Sequence, residues 1–550
     1  MRKWRPEMAA VASDGVVAAN LRFEAAMHQV GRQVDDVLMG WRGETGAAAS
    51  LRALESQLAA NHLAAAVLGI ADALADAGAL AGVCAAVTEI EREAVANGCV
   101  VTEEGIVTAP RADTGNPAVD LVLQACFDGK ALTMQARLEA LLDCAGEVDQ
   151  RVGARLSTAV AELVRLRAEP QGGGLSAVVV DVIDGRAFLP DDPKALCALW
   201  ESLSPADRDA LFAYDPAMGN RDGIPVVARD FYNRRELERL DAAARAELGR
   251  LDALHPESEW VDRPPTTPRE WIQVLDWDAA RRAARRSMAE YAAVEEQTRP
   301  AASPRFLLAV DERGHGAIAL GNPDAAGNLA TFVPGTGSAL DTIGSGVARA
   351  QALSNSAAKA DRHARTSVVA WYGYDTPPGL EAATLDAFAD EAAPALDHFE
   401  DGLRATHEGL PAHNTVVGHS YGTMVIAAAA AHGNSLAVDD MIFAGSPGVE
   451  LNDVTELRMD RLPPDRNGEH VFVTADPADP VPVLGRYVHG PDPADPAFGA
   501  TVFASSGASL DLPVLRDVPW DPRAHGNYWN SDNPGLATQG EIIAGAYNPK

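Results

Sequence analysis

The chain has 550 residues, 47% of them hydrophobic and 23% charged, enough for roughly three or four domains of ordinary size and too many for a disulfide-stapled miniprotein. Its 78 acidic residues against 46 basic ones leave a formal charge of −32, which repels phosphate backbones and anionic headgroups and argues against a nucleic-acid binder. Of the basic residues 41 are Arg and 5 are Lys, as GC-rich codon usage produces, so the charge reads as a solvating surface and names no partner.

The cysteines, Cys84, Cys99, Cys126, Cys144 and Cys197, are odd in number and never form a C-x-x-C pair, so neither a zinc site nor a redox motif is indicated. None follows Cys197. The amino terminus, Met1 to Ala12, carries Arg2, Lys3 and Arg5 without an apolar stretch behind them and is not a Sec-type signal peptide. Localisation is therefore left between the cytoplasm and export without a cleavable signal. From Val11 to about Leu166 apolar residues such as Leu21, Val30, Val34, Val37 and Leu38 recur at helical spacing, which predicts a helical domain over residues 1–170. Within it, His62 to Ile90 is broken by Asp72, Asp76 and Glu89 and reads as an Ala-rich buried helix, not a transmembrane segment. Cys99 to Pro110 places β-branched residues on both sides of Glu103-Glu104-Gly105, a small hairpin. Gln171-Gly-Gly-Gly174 is the clearest linker.

Residues 175–300 read as an intermediate extension, a candidate lid or cap, with a strand-like run at Ala177 to Ile183 followed by helices. Residues 301–550 change texture. Short apolar runs at Phe306–Val310, Ala330–Val333, Ser367–Trp371, Thr415–Val417, Met441–Ala444 and His470–Thr474 alternate with helical segments, the pattern of a mostly parallel sheet covered on both faces, hence an α/β core.

The sharpest chemical signal lies in that core. Gly418, Ser420 and Gly422 form G-x-S-x-G between a β-branched run and the Ala-rich stretch Thr423 to Ala431, so strand, sharp turn and helix present a serine as nucleophile. A serine hydroxyl needs a base, and that base an acid, in the chain order Ser, acid, His. Asp479, in Asp479-Pro-Val-Pro482 after a late strand, is the preferred acid, with Asp476 the alternative. Of the histidines after Ser420, His470 begins a strand ahead of the acid and His489 follows it too closely to leave room for a last strand and crossover; His525, after the strand-like Thr501–Ala504 and before a terminal helix near Gly540, is the expected base. His419 reads as a packed or hydrogen-bonding neighbour. Backbone donors for an oxyanion are expected at Tyr421 and in Phe332-Val-Pro-Gly-Thr-Gly337, through Gly335, Thr336 and Gly337. With no H-E-x-x-H, P-loop or supported G-x-G-x-x-G, no metal, nucleotide or other cofactor is expected.

From about residue 180 onward the chain resembles an actinobacterial α/β-hydrolase family, through Val333-Pro-Gly-Thr-Gly337, Trp371-Tyr-Gly-Tyr-Asp375, Gly418-His-Ser-Tyr-Gly422, Gly445-Ser-Pro-Gly448 and His525-Gly-Asn-Tyr528, with Trp200 to Asn233 similar to that family's amino-terminal extension. The resemblance implies a serine hydrolase acting on an ester, thioester or amide, and Gly445-Ser446-Pro447 points to lipid esters. The helical front resembles Trp-x-Gly hairpin proteins of type VII secretion through Trp41-Arg42-Gly43, implying a helical-hairpin partner, although the Tyr-x-x-x-Asp/Glu export element is absent there. Two other readings remain: a non-catalytic hydrolase scaffold, and a secreted effector whose helices serve export.

Overall fold

The computed structural model describes residues 5–38, 44–102, 105–168, 175–255, 265–299, 301, 303–505 and 521–548. The chain folds into two compact units, Met1–Gly173 and Gly174–Lys550. Trp41-Arg42-Gly43, Glu103-Glu104 of the hairpin turn and the Gln171–Gly174 linker lie outside the described residues.

The first unit consists of the long helices α1 (Pro6–Leu38), α2 (Glu44–Ala96) and α3 (Pro117–Ala168), with a hairpin of β1 (Val100–Val101) and β2 (Val107–Thr108) between the last two. Ser13 Oγ donates to the carbonyl of Ala71 across α1 and α2 (2.7 Å), and Arg155 pairs with Asp76 across α3 and α2. The hairpin pairs Val100 with Thr108 and seats Cys99 and Val107 on Ile90, Met134 and Leu138. His62–Ile90, read as an Ala-rich buried helix, is helical within α2, with Ala64, Ala71, Ala73 and Ile90 buried. Because Asp72 and Asp76 stand well apart from Glu89, Glu91 and Glu93, Ala66–Ala96 is, by length and composition alone, long and apolar enough to cross a membrane, and 24% of its most apolar stretch is buried.

In the second unit a sheet of eight strands runs in the order β10-β9-β8-β7-β5-β6-β4-β3. The strands are β3 (Arg305–Val310), β4 (Gly316–Leu320), β5 (Asn328–Val333), β6 (Thr366–Tyr372), β7 (His413–His419), β8 (Asp440–Ala444), β9 (Val471–Thr474) and β10 (Thr501–Val502). Only β4 runs against its neighbours. Alternate residues supply two cores: Met441 and Phe443 face one side with Val416 and Leu396, while Ile442 and Ala444 face the other with Val417 and Leu353. Helices α10 (Ala387–Thr406) and α11 (Gly422–Ala429) cover the first face, and α9 (Ile343–Ala360) and α13 (Pro534–Ile543) the second.

The extension folds with this unit as helices α4 (Ala177–Ile183), α5 (Pro193–Ser202), α6 (Pro205–Tyr214), α7 (Val226–Leu254) and α8 (Pro268–Gln297). The strand expected at Ala177–Ile183 is a helix. Val179 and Val182 are three apart and both pack in a small core with Leu196, Trp200, Leu211 and Tyr232, which a helix allows and an alternating strand does not. Side chains of the extension satisfy the outer edge of β3: Asp230 accepts from Leu307 N–H (2.6 Å), Asn220 both accepts from and donates to Val310, Arg229 donates to the Leu308 carbonyl (2.9 Å), and Arg234 to that of Arg305 (3.0 Å).

Beneath this seam two acids are enclosed, Asp324 at 3% and Glu400 at 1% exposure. Asp324 accepts from Val226 N–H at the start of α7 (2.7 Å) and from Thr406 Oγ1 (2.6 Å). Burial pushes each carboxyl up to about 7. Between the ordinary carboxylate value, about 4, and that raised value the folded chain holds protons that the unfolded chain releases, so this stabilisation is present at lower pH and lost as pH rises through about 7. The urea midpoint of the full chain is therefore expected to fall from about pH 5 to about pH 8, and Glu400→Gln to flatten the decline; a midpoint whose pH dependence ignores that substitution contradicts the assignment.

Candidate active site

Strand β7 ends at His419, and the next residue, Ser420, takes a left-handed backbone conformation (φ 55°) before α11 begins at Gly422. A non-glycine residue held there is strained, and the strain turns the serine out of the sheet. Its N–H donates to the Ala444 carbonyl of β8 (3.0 Å), so the turn is registered to the neighbouring strand. The flanking glycine is a matter of space: a Cβ on Gly422 would lie 2.3 Å from the Val333 carbonyl oxygen.

Asp479 caps α12 (Pro480–Gly485), its Oδ1 accepting from Val481 N–H (2.9 Å). Its Oδ2 faces the 3-10 helix Pro522–Trp529, which carries His525, and lies 2.8 Å from His525 Nδ1. The same Oδ2 accepts from the hydroxyl of Tyr528 (2.6 Å), which in turn accepts from Asp476 N–H (3.0 Å). The Asp476 side chain accepts from Ala478 N–H (2.9 Å) and so shapes the loop. Of the two acids weighed in the sequence, Asp479 is thus the one that meets His525. Burial, then the charge of Asp479, drives the Tyr528 hydroxyl far above its ordinary value, so it remains a donor.

The other histidines lie elsewhere. His470 Nδ1 sits 2.8 Å from Asp440 at the opposite, amino-terminal end of the strands, where His413 meets the same carboxylate (2.9 Å). His489 is engaged by the Ala383 carbonyl (2.8 Å) and by Glu450 (3.4 Å). His419 is buried, with its Nε2 2.7 Å from the His525 carbonyl oxygen and the two rings 4.6 Å apart. Ser420 Oγ and His525 Nε2 have no hydrogen-bond partner among the described residues, and the serine and histidine segments meet through His419.

The loop after β5 lies against the serine turn. A Cβ on Gly335 would fall 2.8 Å from Ser420 Cβ and 3.1 Å from Tyr421 N, so any larger residue would crowd the serine and cover that N–H. Tyr374 Oη donates to the Pro334 carbonyl (2.7 Å) and Thr376 Oγ1 to that of Ser338 (2.7 Å), holding the loop in place. The N–H groups of Tyr421, Gly335 and Thr336 have no backbone partner among the described residues. Gly337 is corrected: its N–H is engaged by the Pro377 carbonyl (2.8 Å) and is not a free donor. Ser446 is buried, its Oγ 2.8 Å from Thr423 Oγ1, and it fastens the Gly445–Gly448 turn to α11. Among the described residues no group of His, Cys, Asp or Glu is placed to hold a metal ion.

A family model described as alpha/beta hydrolase matches residues 311–488. The carboxy-terminal unit carries an α/β-hydrolase domain. The matched interval holds Ser420, Tyr421, Asp479 and the Gly335 loop, and His525 lies beyond it. An uncharacterized protein of Mycobacterium tuberculosis H37Rv is 29% identical over 383 residues, 63% of this chain and 54% of its own length. An uncharacterized protein of Mycobacterium bovis is 32% identical over 156 residues, 28% of this chain and 56% of its own length. The chain thus spans about half the length of the curated relatives it matches. Tyr528, Arg349, Trp529 and Tyr374 surround the α/β-hydrolase site without having been singled out individually in the sequence; for Tyr528 the late His525-Gly-Asn-Tyr528 pattern was the available signal.

Tyr528→Phe removes a buried hydroxyl that serves a carboxylate and leaves Asp476 N–H unpaired, which is expected to cost about 2 kcal/mol in urea unfolding; a loss below about 0.5 kcal/mol would show that the hydroxyl is not holding the acid loop.

Proposed function

We propose that the α/β-hydrolase domain is a serine hydrolase that works through an acyl-enzyme. The observation that carries this reading is the His525–Asp479 pair at 2.8 Å, joined through His419 to a serine in the left-handed turn. Ser420 Oγ attacks the carbonyl carbon of an ester, thioester or amide while His525 Nε2 takes its proton. Asp479 holds His525 in the tautomer with the hydrogen on Nδ1 and stabilises the imidazolium that forms. The carbonyl oxygen, now negative, is met by N–H of Tyr421 and by N–H of Gly335 or Thr336. The imidazolium returns the proton to the leaving group as the carbon–heteroatom bond breaks. Water, deprotonated by His525, then attacks the acyl-serine, and the proton passes back to Ser420 as the acid leaves.

Short p-nitrophenyl esters and a fluorophosphonate probe test this directly. Ser420→Ala is expected to abolish both turnover and labelling with the fold retained by circular dichroism, and undiminished labelling refutes the nucleophile. His525→Ala is expected to lower kcat by about a thousandfold or more. Asp479→Asn is expected to cost at least about a hundredfold and Asp476→Asn less than about tenfold, and the reverse order moves the acid.

A further inference from the structure

His419 stands between the nucleophile's strand and the segment that carries the base. Its Nε2 lies 2.7 Å from the main-chain carbonyl oxygen of His525, and its Nδ1 lies 3.4 Å from Nη1 of Arg349 on α9. A carbonyl only accepts and a guanidinium only donates, so both partners require the same tautomer, with the hydrogen on Nε2. Trp529, the last residue of the 3-10 helix that holds His525, meets the His419 ring edge-to-face at 5.0 Å, and the Arg349 guanidinium lies 5.0 Å over the Trp529 ring. Tyr528 packs on the same imidazole at 6.2 Å. His419 is 6% exposed, so this donor is directed into a closed space and not to solvent. Burial, then His525, then Arg349 hold the imidazole well below its ordinary value and therefore neutral.

Asp479 grips His525 through one ring nitrogen. A single hydrogen bond leaves the ring free to swing about it, and a displacement of about 1 Å is enough to cost about a hundredfold in rate. We propose that His419 is a positioning residue for the base: its Nε2–H holds the main chain of His525, while Arg349 fixes the tautomer that makes this donation possible. The position of the imidazole is then referenced to the strand that presents Ser420 as well as to Asp479. This inference rests on the serine-hydrolase reading.

The amide nitrogen of Gln reaches the place of Nε2, and that of Asn only the place of Nδ1. His419→Gln is therefore expected to keep kcat on p-nitrophenyl acetate within about fivefold of wild type, whereas His419→Asn and His419→Leu lose about a hundredfold in kcat with KM within about twofold. A role in packing alone predicts instead that activity follows thermal stability, with Gln and Asn alike; that result overturns the inference. If His419→Leu does not fold, Arg349→Met reports on the same link, with an expected loss of about tenfold in kcat, and the absence of any loss overturns it. Wild-type protein that neither turns over the ester nor reacts with a fluorophosphonate overturns the hydrolase reading and this inference together, whereas active wild type with three equally active His419 variants overturns the inference alone.

Discussion

A carboxylate sealed from water is tolerated only if its oxygens are met by donors, and Asp479, at 1% exposure, is the constraint around which this site is assembled. Its donors come from the start of α12, from the hydroxyl of Tyr528 and from the ring of His525, so satisfying one buried charge draws two segments of chain together. The main chain adds to this: Asp521 N–H donates to the Ala478 carbonyl (3.0 Å), closing the head of the 3-10 helix onto the acid loop. The residue that follows strand β8 must then lack a side chain, since a Cβ on Gly445 would lie 2.9 Å from Asp479 Oδ2 and from the Tyr528 ring.

A second constraint acts at the other end of the sheet. Edge strand β3 presents backbone groups that would otherwise recruit a further strand. The extension answers with side chains, Asp230, Asn220, Arg229 and Arg234, in place of main chain, and thereby ends the sheet instead of lengthening it. Arg229 is itself held by Asp222 (2.8 Å), and both belong to the Trp200–Asn233 stretch. These contacts give the extension a role in closing the edge of the sheet.

What the sequence disclosed follows how local each determinant is. The serine turn is built by neighbours within a few residues, and strand, glycine, serine, glycine and helix could be read directly. Asp479 could be preferred over Asp476 by its Pro-Val-Pro context but not set apart by local structure, because both stand before proline and both accept from an N–H two residues on; the partner 46 residues away distinguishes them. Strand β4, Gly-Ala-Ile-Ala-Leu, has a single β-branched residue and is a strand because it lies between β3 and β6, so tertiary pairing overrides its weak propensity. The run at Ala177–Ile183 fails in the opposite sense. Its valines favour a strand, yet the core formed by Trp200 and Tyr232 offers a place only to one helical face. Gly337 looked like part of an oxyanion loop because glycine spacing records where the backbone can go, not which N–H is already bonded.

The three groups of the site are consequently held by different means. Ser420 is placed by covalent continuity with β7 and by the register of β7 on β8. His525 and Asp479 come from later segments and are held by a handful of hydrogen bonds, including the one from His419 that spans 106 residues. A change at the elbow disturbs sheet packing and site together, since the Gly422 turn presses on the main chain of Val333 and Pro334. On the serine-hydrolase reading, a change at Tyr528, His419 or Arg349 acts on the segment that carries His525, and so on the angle at which its imidazole would meet the Ser420 hydroxyl. On that reading the rate is far more sensitive to that angle than is the stability of the fold, so these residues stand at the boundary between what the fold requires and what the chemistry would require.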